Sequence, residues 1–175
     1  DEVVNYKHYG IDGDLVPIVV DRNENGTIEV GTDFVYLIFG LRRGGNNYYA
    51  LDVTNKQSPE LKWIKTYDGL GQSWSTPVAT RIDIENAGQS SSDDLVLVIG
   101  GGYDTVHDQA THPQSPDTDG AAIFVVDIET GEELWRTSSV PEADLILPAM
   151  TRSIPSAVRV LDMSGDGFAD RMYAA

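Results

Sequence analysis

The sequence predicts an all-β protein, part of a β-propeller, and three observations carry that reading. Helical periodicity is almost absent: short runs rich in Val, Ile, Leu and Tyr alternate with clusters of Gly, Asn, Asp and Pro. The runs recur as sets of four. The same landmark residues then fall at the same places in each set.

In chain order, the first set is VPIVVD, FVYLIFGL, NYYALDV and ELKWIKT, and the second is TPVATRID, DLVLVIGGGY, AAIFVVDI and ELWRTS. A third opens with SAVRVLD and DRMYAA. Each is a run of β-branched and aromatic residues bounded by turn formers, which is how a strand reads. An Asp closes the first strand of every set: Asp21, Asp83 and Asp162. The third strand ends in Asp52 or Asp127, followed by Thr54 or Thr130, and the fourth holds Trp63 or Trp135. Four antiparallel strands per repeat describe a propeller blade. The expected layout is one partial propeller region over 1–175, with blades at 16–66 and 76–139 and the start of another at 156–175. A β-sandwich also uses short, evenly spaced strands, but repeated Asp and Trp landmarks favour the propeller. A ring needs at least about four blades, so the expectation is a piece of a larger propeller.

Composition narrows the function. A formal charge of -16 over 175 residues opposes binding to nucleic acid or to an anionic membrane surface, and it is compatible with cation binding. The absence of cysteine removes thiol catalysis, cysteine-ligated zinc and disulfide staples. No apolar run approaches the roughly 20 residues of a membrane span. The opening DEVVNYKHYG is no signal peptide, which leaves export open for a mature or excised piece.

The stretch DMSGDGFAD sets oxygen donors at loop positions one, three, five and nine (Asp162, Ser164, Asp166 and Asp170), with the Phe168 carbonyl at seven and Gly167 at six. That is the first part of an EF-hand-type calcium loop, whose alternate residues point inward while glycine allows the sharp turn. Tyr173 stands where an EF-hand has its twelfth-position Glu, and strands flank the loop, so it is a strand connection carrying a calcium site. The competing reading is a solvated Asp-Gly hairpin, which has no need of three mutually repelling carboxylates. Magnesium fits less well, since it demands tight octahedral geometry. DRNENGTIE offers a second set at the equivalent place: Asp21, Asn23, Asn25 and Glu29, with the Thr27 carbonyl at seven and Gly26 at six. It carries two formal charges rather than three, and Asn25-Gly26 is also a good plain hairpin turn. In DIENAGQSSSDD the spacing is lost after Asp83 and Glu85, so that stretch reads as a loop.

Other chemistry is weaker. The polar insertion YDTVHDQATHPQSPDTDG holds His107 and His112 with Asp104, Asp108, Asp117 and Asp119. A transition-metal site is conceivable there, but a flexible exposed loop is the commoner use of such a segment. His8, beside tyrosines, reads as packing. Arg42, Arg43, Gly44 and Gly45 lack the strand–turn–helix context of a phosphate loop and read as a hairpin tip. Gly100, Gly101 and Gly102 mark close packing at a strand end. Trp63, Trp74 and Trp135 read as blade core or inter-blade packing. No Ser/His/Asp nucleophile set stands out.

Taken in order, FGLRRGGNNYYALDVT, GQSWSTPV, LVLVIGGGYD, FVVDIETG and SIPSAVRVLDMSGDGFADRMYAA resemble the C-terminal propeller of the PilY1/PilC family of type IV pilus biogenesis proteins, from about Tyr9 to the end. The resemblance implies a larger protein, secreted or associated with the outer membrane, that acts with pilins, minor pilins and the assembly machinery. It also implies a role in extension against retraction, twitching motility and tip adhesion to a host or abiotic surface. The family's calcium loop carries over onto Asp162, Ser164, Asp166, Phe168 and Asp170, with Ser164 where Asp or Asn is more usual. The Asp21 loop resembles one found in some members only. No Arg-Gly-Asp motif is present, so integrin recognition does not transfer.

Two further readings compete with a non-enzymatic, calcium-binding pilus module. VVDIETGEELW also resembles blade motifs of quinoprotein-like dehydrogenases, whose cofactor pocket is capped by adjacent cysteines that this chain lacks. An integrin-like calcium propeller serving protein binding alone shares the Asp-rich loop.

Overall fold

The computed structural model describes residues 8–83, 95–109 and 115–175. Three open antiparallel sheets follow one another along the chain. The first is a meander of β1 (Val16–Val20), β2 (Phe34–Gly40), β3 (Tyr48–Asp52) and β4 (Glu60–Lys65). The second repeats it with β5 (Val78–Arg81), β6 (Leu95–Gly100), β7 (Ala122–Asp127) and β8 (Glu133–Ser138). The third is the pair β10 (Arg159–Leu161) and β11 (Arg171–Tyr173). The all-β expectation holds. Unforeseen was β9 (Leu145–Ile146), which adds a fifth, parallel strand beside β8. None of these sheets closes on itself among the described residues.

The repeat extends to irregularities. Between β3 and β4 the register shifts at Ala50/Leu51, and between β7 and β8 it shifts at Val125/Val126. Each bulge lies just before the landmark Asp, whose Oδ1 caps the turn that follows. Asp52 accepts from the Thr54 N–H (2.9 Å) and hydroxyl (2.6 Å). Asp127 accepts from the N–H groups of Glu129 and Thr130 (2.9 and 2.8 Å) and the Thr130 hydroxyl (3.0 Å). These repeated Asp–Thr pairs are turn caps.

Strand pleating sets what each face buries. Ile18, Tyr36, Ile38, Tyr48, Ala50 and Trp63 of the first sheet pack with Leu97, Ile99, Phe124 and Val126 of the second, with Tyr67 and Leu70 in the same core. Fully burying side chains of this size stabilises by about 1.5–3 kcal/mol each. The opposite face of the second sheet, Val96, Val98, Ile123 and Val125, is covered by Ile154 and Val158. Covered on both sides, β7 is buried along its whole length. The other face of the first sheet is only partly covered among the described residues: Phe39, opposite Tyr49, is buried there, but its neighbours are more open. Pro17, Leu37, Leu51 and Leu61 lie there in successive register, with Val19 opposite Val35 and Ile64 opposite Tyr49. Val19, Leu61 and Ile64 are 60%, 55% and 46% exposed.

Polar contacts lock the junction of the first two sheets. Trp63 Nε1 donates to the Ile128 carbonyl (3.1 Å), and the Tyr67 hydroxyl donates to that of Gly131 (3.0 Å). Gly131 has φ +70°, and a Cβ there would stand 2.7 Å from the Trp63 ring, so both backbone and space require glycine.

The crossover segments seal the sheets they leave. In residues 66–77, Ser73 donates its N–H to the Gly45 carbonyl (3.0 Å), and its Oγ accepts from the Leu41 N–H (2.8 Å). The Tyr48 hydroxyl donates to the Ser75 carbonyl (2.7 Å). After the second sheet, Ile154 accepts from Gly102 N–H (2.9 Å) and donates its own to the Gly120 carbonyl (3.0 Å). The chains approach so closely that a Cβ at Gly100 would meet the Ile154 carbonyl at 2.7 Å, in agreement with the close packing expected of Gly100–Gly102.

Candidate cation-binding loops

Both candidate loops leave the first strand of their sheet, residues 21–33 joining β1 to β2 and residues 162–170 joining β10 to β11. They share one hydrogen-bonded frame. At position one, Asp162 Oδ2 accepts from the Gly167 N–H (2.8 Å), and Asp21 Oδ2 accepts from the Gly26 N–H (2.7 Å). At position five, Asp166 Oδ1 accepts from the Phe168 N–H (2.9 Å), and Asn25 Oδ1 accepts from the Thr27 N–H (2.7 Å). Positions four and six take positive φ in both: Gly165 (+79°) and Gly167 (+92°) against Glu24 (+54°) and Gly26 (+78°). A non-glycine in that region costs about 1–2 kcal/mol, so the first loop holds Glu24 against an intrinsic preference.

The ends are fastened differently. Asp170 Oδ2 accepts from the N–H groups of Met163 (2.7 Å) and Ser164 (3.1 Å), at positions two and three. In the first loop the position-two N–H, that of Arg22, goes instead to Asp33 Oδ1 (3.0 Å), and Asp33 Oδ2 accepts from the Glu29 N–H (2.8 Å). Asp33 is buried, at 5% exposure. Sequence reading missed it because it lies beyond the nine-residue window. Glu29 turns inward, accepting from Asn23 Nδ2 (2.8 Å) and Asn25 Nδ2 (3.0 Å).

The donors in both loops are oxygens, the type calcium takes. The carboxylates are turned to backbone N–H groups, and no three His, Asp or Glu side chains converge as a metal-holding group among the described residues. Donation from Gly167 and Gly165 holds the Asp162 carboxyl below its ordinary value. Each loop touches the second sheet. The Ala169 N–H donates to the Arg81 carbonyl (2.8 Å), while Arg22 lies over the Phe34 ring and pairs with Glu129 (2.9 Å). The Asp83 stretch continues into residues 84–94, outside the described part.

At the far ends of the strands, the described part of the polar insertion is built, contrary to the expected flexible loop. Buried Asp104 accepts from the N–H groups of Val106, Thr118 and Asp119. Asp117, whose side chain is inaccessible, meets His107 Nε2 (2.8 Å), Arg152 Nη1 (3.1 Å) and the Ser153 N–H (2.7 Å). Burial alone would raise the Asp117 carboxyl, but these donors hold it at about 2. His107 is thus an ion-pair partner, while His112 falls outside the described residues. Arg42 and Arg43 form a short 3-10 turn over Trp74, with Arg43 bound to Asp108. His8 is exposed, not packed.

No family model matches the chain. It is 28% identical over 146 residues to the type IV pilus biogenesis factor PilY1 of Pseudomonas aeruginosa strain PAO1, covering 79% of this chain and 10% of that protein. To PilY1 of strain UCBPP-PA14 it is 29% identical over 167 residues, 92% of this chain and 12% of the relative. The crystal structure of the P. aeruginosa PilY1 C-terminal domain matches with TM-score 0.57 and 25% identity, over 94% of this chain and 28% of that one. The chain therefore spans about a tenth of the curated relatives' length, and its resemblance to PilY1 is borne out in sequence and in fold.

Proposed function

We propose that this chain is a propeller section of a type IV pilus biogenesis and tip-adhesin protein, whose calcium-carrying loops support pilus extension against retraction. The observation that carries this reading is the likeness to PilY1 over nearly the whole chain. The common frame of the Asp162 and Asp21 loops supports the calcium part. Asp162, Ser164, Asp166, the Phe168 carbonyl and Asp170 hold the ion in the late loop; Asp21, Asn23, Asn25, the Thr27 carbonyl and Glu29 hold it in the early one. The partly exposed apolar face of the first sheet supports the propeller, because the equivalent face of the second sheet, Leu97 and Ile99, packs on a neighbouring sheet.

In this reading the module catalyses no reaction. Calcium stabilises the loop-bearing sheets by binding the folded state alone, and the sheets present a surface to pilins and the assembly machinery at the cell exterior. The test is the melting midpoint with calcium and with chelator, beside piliation and twitching of cells carrying Asp166→Asn. Equal midpoints and no heat on calcium titration would reject calcium regulation. Normal piliation and twitching after deletion of the whole segment would reject the pilus role.

A further inference from the structure

In the Asp162 loop one side chain would do two jobs under the calcium reading: Asp170 anchors the position-two N–H through Oδ2, and it is also the ninth-position ligand assigned to the cation. We propose that the Asp21 loop divides these jobs, with Asp33 as the positioning residue and Glu29 as the ion's carboxylate. This rests on the calcium reading above and assigns a role to a residue outside the nine-residue motif.

Three observations lead to the division. The position-two N–H finds a carboxylate in both loops, Asp170 for Met163 and Asp33 for Arg22, although the two acids stand at different spacings. Asp33 is buried, and each of its oxygens already holds one backbone N–H, at the loop's start and at Glu29. Asp21 likewise holds a backbone N–H on each oxygen, those of Asn25 and Gly26, so it is burial that sets Asp33 apart: its side chain is enclosed, whereas the residues of the nine-residue motif lie at the surface. Its bond to the Glu29 N–H sets that residue where its side chain spans Asn23 and Asn25, two of the three other side-chain ligands. Residues 30–33 separate the ninth position from β2, whereas Asp170 directly precedes β11, and the early loop's anchor sits on an acid within that extra stretch while the ninth residue keeps only the ion.

The Gly26 and Gly167 amides report each loop separately by NMR, because each is bonded to its own position-one carboxylate. Calcium chloride is titrated into the 175-residue protein and into Asp33→Asn, Glu29→Gln and Asp170→Asn. Asp33→Asn is expected to move the calcium-free Arg22 amide and weaken the Gly26 response at least tenfold, leaving Gly167 unchanged. Glu29→Gln is expected to abolish the Gly26 response with the Arg22 amide in place. Asp170→Asn is expected to displace the Met163 amide and remove the Gly167 response together. A Gly26 midpoint within twofold of the parent in Asp33→Asn overturns the division. If Asp33→Asn does not fold, Glu29→Gln decides: a displaced Arg22 amide or a retained response overturns it. Silence of both glycines in the parent rejects the calcium reading itself, and this inference with it.

Discussion

Replacing Asp117 by Asn tests whether the insertion after β6 is held by a buried charge. The side chain is fully enclosed and meets three donors, His107, Arg152 and the Ser153 N–H, the last two reaching across from the segment that covers the second sheet. A carboxyl held at about 2 rather than the ordinary 3.8 contributes on the order of 2 kcal/mol to folding near neutral pH. Because the folded value is the lower one, this contribution is complete above about pH 4–5 and disappears as pH falls from 3.8 through about 2. Asn keeps an acceptor for the Ser153 N–H but sets an NH2 group against Arg152 or His107, so the loss at pH 7 should be about 2–4 kcal/mol. Urea unfolding of parent and variant at pH 7 and at pH 3 measures it, with the difference narrowing at the lower pH. A loss under about 0.5 kcal/mol at pH 7, or one that does not narrow in acid, would refute the argument.

Other substitutions probe the rest of the molecule. Gly131→Ala forces a Cβ onto the Trp63 ring at positive φ and should cost about 2–4 kcal/mol; unchanged urea midpoint and tryptophan emission would count against that junction. Phe124→Ala, fully buried and 5.3 Å from the Tyr67 ring between centroids, should cost about 3–5 kcal/mol, read by the same denaturation. Asn25→Asp gives the Asp21 loop the charge count of its partner and should tighten calcium there, while Asp166→Asn should weaken the late loop. Isothermal titration checks both, and reversed signs would break the charge-count reasoning.

The strands were legible because each is a short apolar run closed by a turn residue, and the repeat made each run vouch for its counterpart. The late cation loop was legible for a similar reason: its donors and glycine lie within nine residues. What escaped reading depends on partners far along the chain. Asp104 and Asp117 look like members of a polar insertion until Thr118 and Ser153 are seen to donate to them, 14 and 36 residues away. Asp33 lies outside the nine-residue window, and its role is set by the Arg22 N–H eleven residues earlier. The parallel strand β9 is two residues long and precedes Pro148, too short for periodicity; it is set instead by the bond from the Arg136 N–H to Asp144.

The Ser73 and Ile154 fastenings bear on where one repeat ends. Judged by strands, the first unit stops at Lys65, yet the hydrogen bonds that finish its upper rim come from residues 66–77. A chimera or truncation cut at the strand boundary would therefore take away a sheet's own clasp and leave Leu41 and Gly45 facing solvent. Placing the cut after Pro77 keeps rim and sheet together, so the modular unit for exchange is offset by a dozen residues from the one the strands outline.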